Sequence, residues 1–315
     1  MRLIRVLFIF GLASVACAGL SRSQGLPVRS TIPQANSGPG FGGVIAFLGD
    51  VDNDGVEDFG TTDRFTGPGS LVPGGGRVKV YSGESGVVIH DIPSPGIGET
   101  FGAVLAPLRG DINQDGCDDF VVSSPNYGSN EGRVRIYSGA DSTVLLVLDG
   151  APQEFFGVSL DGLGDVNGDG IPDLAIGSGS LAVGTGKIRA YSGSNGLLLY
   201  TITQGPNNSL GRSAKSVHDQ NSDGVRDIAA RVGLLGAGLM SSVIDLYSGV
   251  DGSLIRTLLT PIPPVFGQTQ FGDNFFDVGD IDGDGLPDLG VTEQGNILYL
   301  YSSVTGTLVV STHAS

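Results

Sequence analysis

A nine-residue acidic pattern recurs five times, and it constrains this chain more than any other feature. The copies run Asp50–Asp58, Asp111–Asp119, Asp165–Asp173, Asp219–Asp227 and Asp280–Asp288, with starts 61, 54, 54 and 61 residues apart. An apolar-Gly pair precedes each: Phe41-Gly42, Phe101-Gly102, Phe156-Gly157, Leu210-Gly211 and Phe271-Gly272. A tyrosine motif follows each: Tyr-Ser-Gly from Tyr81, Tyr137, Tyr191 and Tyr247, and from Tyr301 with Ser303 replacing glycine. Three markers in one order, five times over, define a repeat, and a repeat of this length is one supersecondary unit that cannot bury its apolar face alone.

Each unit reads as four short strands, a to d. In the second unit, strand a covers Val104 to Leu108 and strand b covers Phe120 to Ser124. Strand c is Arg133 to Tyr137, whose alternating charge suits a half-exposed surface, and strand d is Val144 to Leu148. No window outside the first residues carries a helical period. Four-stranded sheets leave open edges and faces, and radial stacking resolves this. The expected fold is all-β: a five-bladed β-propeller over residues 41–315, with blades starting at 41, 101, 156, 210 and 271. A partial ring completed by another chain is the alternative.

Residues 1–18 read as an export signal: Arg2 and Arg5, then an apolar run from Val6 to Ala16, then Ala16-Cys17-Ala18 before Gly19. Acylation at Cys17 is the weaker variant. Residues 19–40 form a linker, unless 28–33 is a stray strand d at the ring closure. Ile32-Pro33 precedes Phe41 by the spacing that Ile92-Pro93 keeps from Phe101. Removal of Cys17 leaves Cys117 alone, so no intrachain disulfide framework is expected. No later apolar stretch reaches membrane length.

Carboxylates on alternate residues around a glycine suit a hard cation. Calcium takes six to eight oxygens in a flexible shell. The expected ligands are Asp50, Asp52, Asp54, Val56 and Asp58 in loop one, and Asp111, Asn113, Asp115, Cys117 and Asp119 in loop two. Loop three offers Asp165, Asn167, Asp169, Ile171 and Asp173; loop four offers Asp219, Asn221, Asp223, Val225 and Asp227. Loop five offers Asp280, Asp282, Asp284, Leu286 and Asp288. Val56, Cys117, Ile171, Val225 and Leu286 would contribute backbone carbonyls. Up to five Ca²⁺ ions are expected, one between strands a and b of each blade. Loops one and five, with four aspartates each, should bind tightest, and loop four, preceded by His218 rather than glycine, least. An EF-hand is excluded, because it needs Glu at position twelve, where these loops carry Thr61, Val122, Ile176, Ala230 and Val291.

The Phe-Gly pair, the acidic loop and the apolar strand after it resemble the FG-GAP repeat of integrin α-chain propellers, across roughly residues 41–315. The resemblance implies a propeller with calcium loops between strands a and b. It departs in blade number, since integrin propellers have seven blades with calcium in only some. The Gly-Ala-Pro element is also degenerate here, as at Ser124-Pro125 and Gly177-Ser178.

The net charge of -16 excludes nucleic-acid binding by counterion release, and about half of the 33 acidic residues lie in the loops. Propeller connectivity places the acidic loops and the Tyr-Ser-Gly turns on one face. The variable segments (61–76, 124–132, 177–186, 232–241 and 260–270) fall on the other. Arg109-Gly110-Asp111 spells an adhesion tripeptide, but Asp111 is committed to loop two. No nucleophile elbow, zinc motif or phosphate loop is present. The sequence therefore points to an exported, non-enzymatic binding or adhesion module for extracellular protein or glycan, secreted, periplasmic or at the cell surface. The alternatives are a calcium-dependent enzyme on polysaccharide or phospholipid, or a structural subunit.

Overall fold

The computed structural model describes residues 41–63, 76–96, 98–179, 186–205, 209–236, 239–259, 271–272, 274–293 and 297–313. The readings of residues 1–40 and of segment 260–270 lie outside them.

The chain folds as five four-stranded antiparallel sheets, each an uninterrupted meander. Blade one comprises β1 (Phe41–Gly49), β2 (Asp58–Asp63), β3 (Arg77–Tyr81) and β4 (Val88–Pro93). Blade two comprises β5 (Leu105–Pro107), β6 (Phe120–Ser124), β7 (Arg133–Tyr137) and β8 (Val144–Asp149). Blade three comprises β9 (Ser159–Gly164), β10 (Asp173–Ser178), β11 (Lys187–Tyr191) and β12 (Leu198–Thr203). Blade four comprises β13 (Ala214–Val217), β14 (Asp227–Gly236), β15 (Leu239–Tyr247) and β16 (Leu254–Leu258). Blade five comprises β17 (Phe275–Asp277), β18 (Leu289–Glu293), β19 (Ile297–Tyr301) and β20 (Leu308–His313). The arrangement is the β-propeller expected from the repeat.

Each outer hairpin carries an irregularity at the same place. Pairing of the third strand with the fourth shifts register between Val80 and Tyr81, Ile136 and Tyr137, Ala190 and Tyr191, Leu246 and Tyr247, and Leu300 and Tyr301. An extra residue on the outer strand increases local twist and bends the edge, as a β-bulge does.

The period-two alternation gives every blade two apolar faces, and packing consumes them in pairs. Leu48, Val78 and Val80 of blade one meet Leu105, Phe120, Val122 and Tyr137 of blade two. Val121, Val134 and Ile136 of blade two meet Phe156, Leu160, Leu174 and Ile176 of blade three. Ala175, Ile188 and Ala190 then meet Ile228, Ala230 and Tyr247, and Ile244, Leu246 and Leu258 meet Phe275, Leu289, Val291 and Tyr301. In blades two to five the apolar residue before the glycine is the anchor: Phe101, Phe156, Leu210 and Phe271 are fully buried.

Two expectations need correction. Segment 232–241 is not a free loop: β14 and β15 pair from Ile228↔Tyr247 out to Gly236↔Leu239, so a long hairpin projects there. Strand c of blade two is not half-exposed throughout, because Arg135 is buried and paired with Glu99 at 2.9 Å. The remaining difference is small, one irregular turn at Tyr127–Asn130 within the variable segment of blade two.

Phe156→Ala should cost about 3–5 kcal/mol, the usual penalty for emptying a buried aromatic site. Val147→Ala, at a side chain 43% exposed, should stay within about 0.5 kcal/mol. Urea unfolding of both variants checks the contrast.

Candidate metal centres

The acidic loops connect the first and second strands of every blade and share one backbone. Position six is glycine at positive φ: Gly55 (84°), Gly116 (94°), Gly170 (83°), Gly224 (87°) and Gly285 (96°). A side chain there would strain the turn. Position four is also left-handed, although it is Asn53, Gln114, Gly168, Ser222 and Gly283. Its variety of residue types hid that constraint from the sequence.

The first-position aspartate closes the loop on itself. Asp50 accepts from the N–H groups of Asp54 (2.9 Å) and Gly55 (2.8 Å). Asp165, Asp219 and Asp280 accept in the same way from Gly170, Gly224 and Gly285 at 2.7, 2.7 and 3.0 Å. Asp111 uses Oδ2 for Gly116 N–H at 2.7 Å. Its Oδ1 is buried with no hydrogen-bond partner among the described residues. A buried carboxylate oxygen without a donor is the condition a cation relieves, so the residues present fit a divalent ion.

The ninth-position aspartates, Asp58, Asp119, Asp173, Asp227 and Asp288, are fully buried. One oxygen accepts from the second-position N–H, as in Val51→Asp58 at 2.8 Å and Ile112→Asp119 at 2.7 Å. The other accepts from the main chain of the tyrosine motif: Gly83, Gly139, Gly193 and Gly249 at 2.8, 3.0, 3.0 and 3.0 Å, and Ser303 at 3.2 Å. The motif serine reaches the fifth-position aspartate, as in Ser82→Asp54 (3.2 Å) and Ser138→Asp115 (2.9 Å). In blade three Ser194 makes this bond instead, to Asp169 at 2.9 Å. Tyr-Ser-Gly is therefore more than a packing motif. Its tyrosine fills the blade interface while serine and glycine clamp the acidic loop. In blade two the glycine leaves no room for a side chain, since a Cβ on Gly139 would stand 2.2 Å from the Asp118 carbonyl oxygen.

Electrostatics divides the loops into two kinds. Asp50, Asp52 and Asp58 bring carboxylate oxygens within 4.8 Å of one another, and so do Asp280, Asp282 and Asp288. Loops two, three and four substitute an amide at position three. There Asn113, Asn167 and Asn221 donate to Asp115, Asp169 and Asp223 at 2.8, 3.2 and 2.8 Å. Burial pushes the carboxyls of Asp58 and Asp173 upward. Asp119 and Asp227 rise to about 6, through burial first and the neighbouring loop aspartates second. Asp52 is raised by burial and by the charges of Asp54 and Asp50. Burial and the surrounding carboxylates also raise the Cys117 thiol, which makes it a passive neighbour rather than a nucleophile.

Adjacent loops are tied together. Asp118 accepts from the Asp50 N–H at 2.9 Å and returns its own N–H to the Asp50 carbonyl at 2.8 Å. Arg109 donates to the Gly162 carbonyl at 3.0 Å and approaches Asp161 at 3.5 Å. The adhesion-like tripeptide is thus consumed by the fold at both charged ends. Asp277 accepts from Arg226 at 2.8 Å and from the His218 N–H at 2.9 Å.

A different charge system occupies the opposite end of the blades. Glu154 accepts from the Ala151 N–H at 2.7 Å and pairs with Lys187 and Arg189, both at 2.7 Å. Burial opposes its ionisation, but these donors outweigh it and hold the carboxyl at about 2. Glu99 and Arg135 repeat the arrangement one blade earlier. The signal was legible in principle, as an acid two residues before the Phe-Gly phenylalanine matched to an arginine on the third strand.

The FG-GAP repeat model matches residues 104–137 and 156–191. Integrin alpha-2 of Mus musculus is 36% identical over 152 residues, which is 44% of this chain and 13% of that protein. Integrin alpha-6 of Gallus gallus is 34% identical over 117 residues, 34% of this chain and 10% of that protein. The matches thus span only about a tenth of the relatives' length. Among solved structures, "BBS1N in complex with ARL6DN, soaked with lead" aligns at TM-score 0.51 and 11% identity, covering 86% of this chain and 68% of that one. "Europium-containing methanol dehydrogenase" aligns at TM-score 0.50 and 10% identity, covering 76% and 47%. At such identity the likeness concerns fold alone.

Two outcomes follow for the loops. Gly139→Ala should destabilise the protein by about 1–3 kcal/mol, as forced overpacking does, whereas Gly55→Ala should lose through strain at positive φ instead; thermal unfolding of each reads the loss. The second concerns pH in a strong chelator. Because Asp119 and Asp227 titrate near 6 when folded against 3.8 otherwise, their contribution is full below 3.8 and is lost as pH rises through about 6. The stability difference between wild type and Asp119→Asn, measured from pH 4 to 7, should shift against wild type across that window.

Repeat, blade and loop agree with one another and with the relatives: the chain is an integrin α-like FG-GAP β-propeller.

Proposed function

We propose that this propeller is an exported, calcium-stabilised binding module that engages an extracellular protein or glycan without catalysing a reaction. The observation that carries the reading is the clustering of three carboxylates within 4.8 Å in loops one and five. Such a cluster repels itself unless a cation neutralises it. Asp50, Asp52 and Asp58, with Asp54, and Asp280, Asp282 and Asp288, with Asp284, would hold Ca²⁺ in those loops. The three asparagine-bearing loops would hold it more weakly. A bound ion would supply positive charge to the loop.

Partner binding is assigned to the face opposite the metal loops. One face is fixed by repeated chemistry, while the other carries segments of different length and composition, the usual division between scaffold and recognition. Two charge systems described on that side, Glu99 with Arg135 and Glu154 with Lys187 and Arg189, are ion-paired within themselves. This supports binding over acid–base catalysis. The relatives bear the name integrin, which supports an extracellular partner. Among the described residues no helix is long and apolar enough to cross a membrane.

Calcium should raise the melting temperature in a concentration-dependent way. Each site contributes about 2.7 kcal/mol once free calcium reaches a hundred times its Kd. Asp50→Asn and Asp280→Asn should each remove one of the tightest sites in isothermal titration, and Asp219→Asn a weaker one. An unchanged melting temperature after chelation would refute the metal reading. Protein and glycan arrays probed with and without calcium test the binding role.

A further inference from the structure

The fourth strand of every blade lies at a sheet edge. Such an edge presents a row of backbone N–H and C=O groups and is a template for another strand, unless polar side chains or proline blunt it. Four blades blunt it at one register position. The residue there is Asp91 opposite Lys79, Thr201 opposite Arg189, Thr257 opposite Asp245 and Ser311 opposite Tyr299. All four are exposed. In blade two the same position, opposite Arg135, is Val147, 43% exposed. The flanking residues sharpen the contrast. β4 adds His90 and Pro93, β12 adds Tyr200 and Thr203, β16 adds Arg256, and β20 ends in Ser311-Thr312-His313. β8 runs from Val144 to Leu148 without a polar side chain, and Val144 is 47% exposed. Its one charge, on Asp149, is held by Arg133 at 2.6 Å.

We propose that β8 pairs edge to edge with β8 of a second copy of this chain, joining two four-stranded sheets into one. A closed dimer needs a patch that complements itself. Antiparallel pairing about a two-fold axis through Leu146 or Val147 sets aliphatic residues opposite aliphatic ones at the centre and leaves the two Asp149 carboxylates at opposite ends. The same operation is penalised in other blades. Through Asp91 it sets carboxylate against carboxylate in β4, and through Arg256 it sets guanidinium against guanidinium in β16. An extended peptide of another protein would use the same backbone groups, but the aliphatic run of β8 supplies both sides of the contact from this chain alone. Pairing also removes Val144 and Val147 from water. The strand has six residues, so the contact is small and the dimer forms in a concentration-dependent way. Antiparallel pairing points the acidic loops of the two copies in opposite directions, because β8 runs from the face that carries them to the other.

Sedimentation velocity of the chain beginning at Gly19, from low to high concentration, with hydrogen exchange at both ends of the range, tests this. The species should pass from monomer to dimer, and the amides of residues 144–149 should gain protection at the high end. Val147→Lys should stay monomeric, with the melting temperature of the dilute wild type, while Thr201→Lys on β12 should dimerise as wild type does. A monomer at every concentration overturns the proposal. So does a dimer whose 144–149 amides exchange as in the monomer, a dimer that survives Val147→Lys or is lost in Thr201→Lys, or an open-ended polymer. If Val147→Lys does not fold, Val147→Thr, which carries the residue of blades three and four, takes its place. It should weaken dimerisation several-fold, and unchanged dimerisation refutes the pairing.

Discussion

The buried carboxylate that ends each acidic loop is the interaction on which the rest depends. Burying an ion costs several kcal/mol unless hydrogen bonds and charge compensate it. Asp58, Asp119, Asp173, Asp227 and Asp288 meet that demand with main-chain N–H groups from two separate segments, one early in the loop and one in the outer hairpin. A single side chain thereby fixes the spacing of three strands. It also explains why the motif residues recur at constant intervals while the segments on the opposite face vary. Only the first set has to converge on one anion.

From that knot the order of the propeller follows. The loop holds strands one and two at a fixed offset, and the clamped turn holds strand three against strand two. The tyrosine at the start of that turn then stands in the blade interface, where Tyr137 stacks on Phe120 with centroids 5.7 Å apart. Loop-to-loop bonds such as Asp118 to Asp50 set the rotation from one blade to the next. Polar geometry sets the angles and apolar packing supplies most of the energy, so neither alone would specify the stack.

The strands and their order were legible because the repeat states them five times, and the ligand aspartates because their spacing is rigid. The Ser-Gly clamp was not. Serine and glycine are common turn residues, and only the folded geometry brings them onto a loop roughly twenty residues upstream. Arg135 was misread because alternation along a strand reports which face a side chain takes, not what waits there. Glu99, from another part of the blade, turns an apparently exposed arginine into a buried partner. The hairpin at 232–236 and 239–241 was missed because glycine-rich sequence signals a turn without fixing how far the flanking strands continue.

The two kinds of acidic loop imply different dependence on a cation. In loops two, three and four the asparagine amide supplies a donor to the fifth-position carboxylate, so part of the charge is satisfied within the chain. Loops one and five have no such donor and set three carboxylates within 4.8 Å. These two loops belong to blades one and five, which no apolar core joins to each other among the described residues. Blades two, three and four are held from both sides by packing and tolerate a half-neutral loop. Among the described residues blades one and five are each joined by an apolar core on one side, and their loops carry the larger charge. A cation held in loops one and five would therefore act on the two blades that, among the described residues, an apolar core joins to one neighbour only.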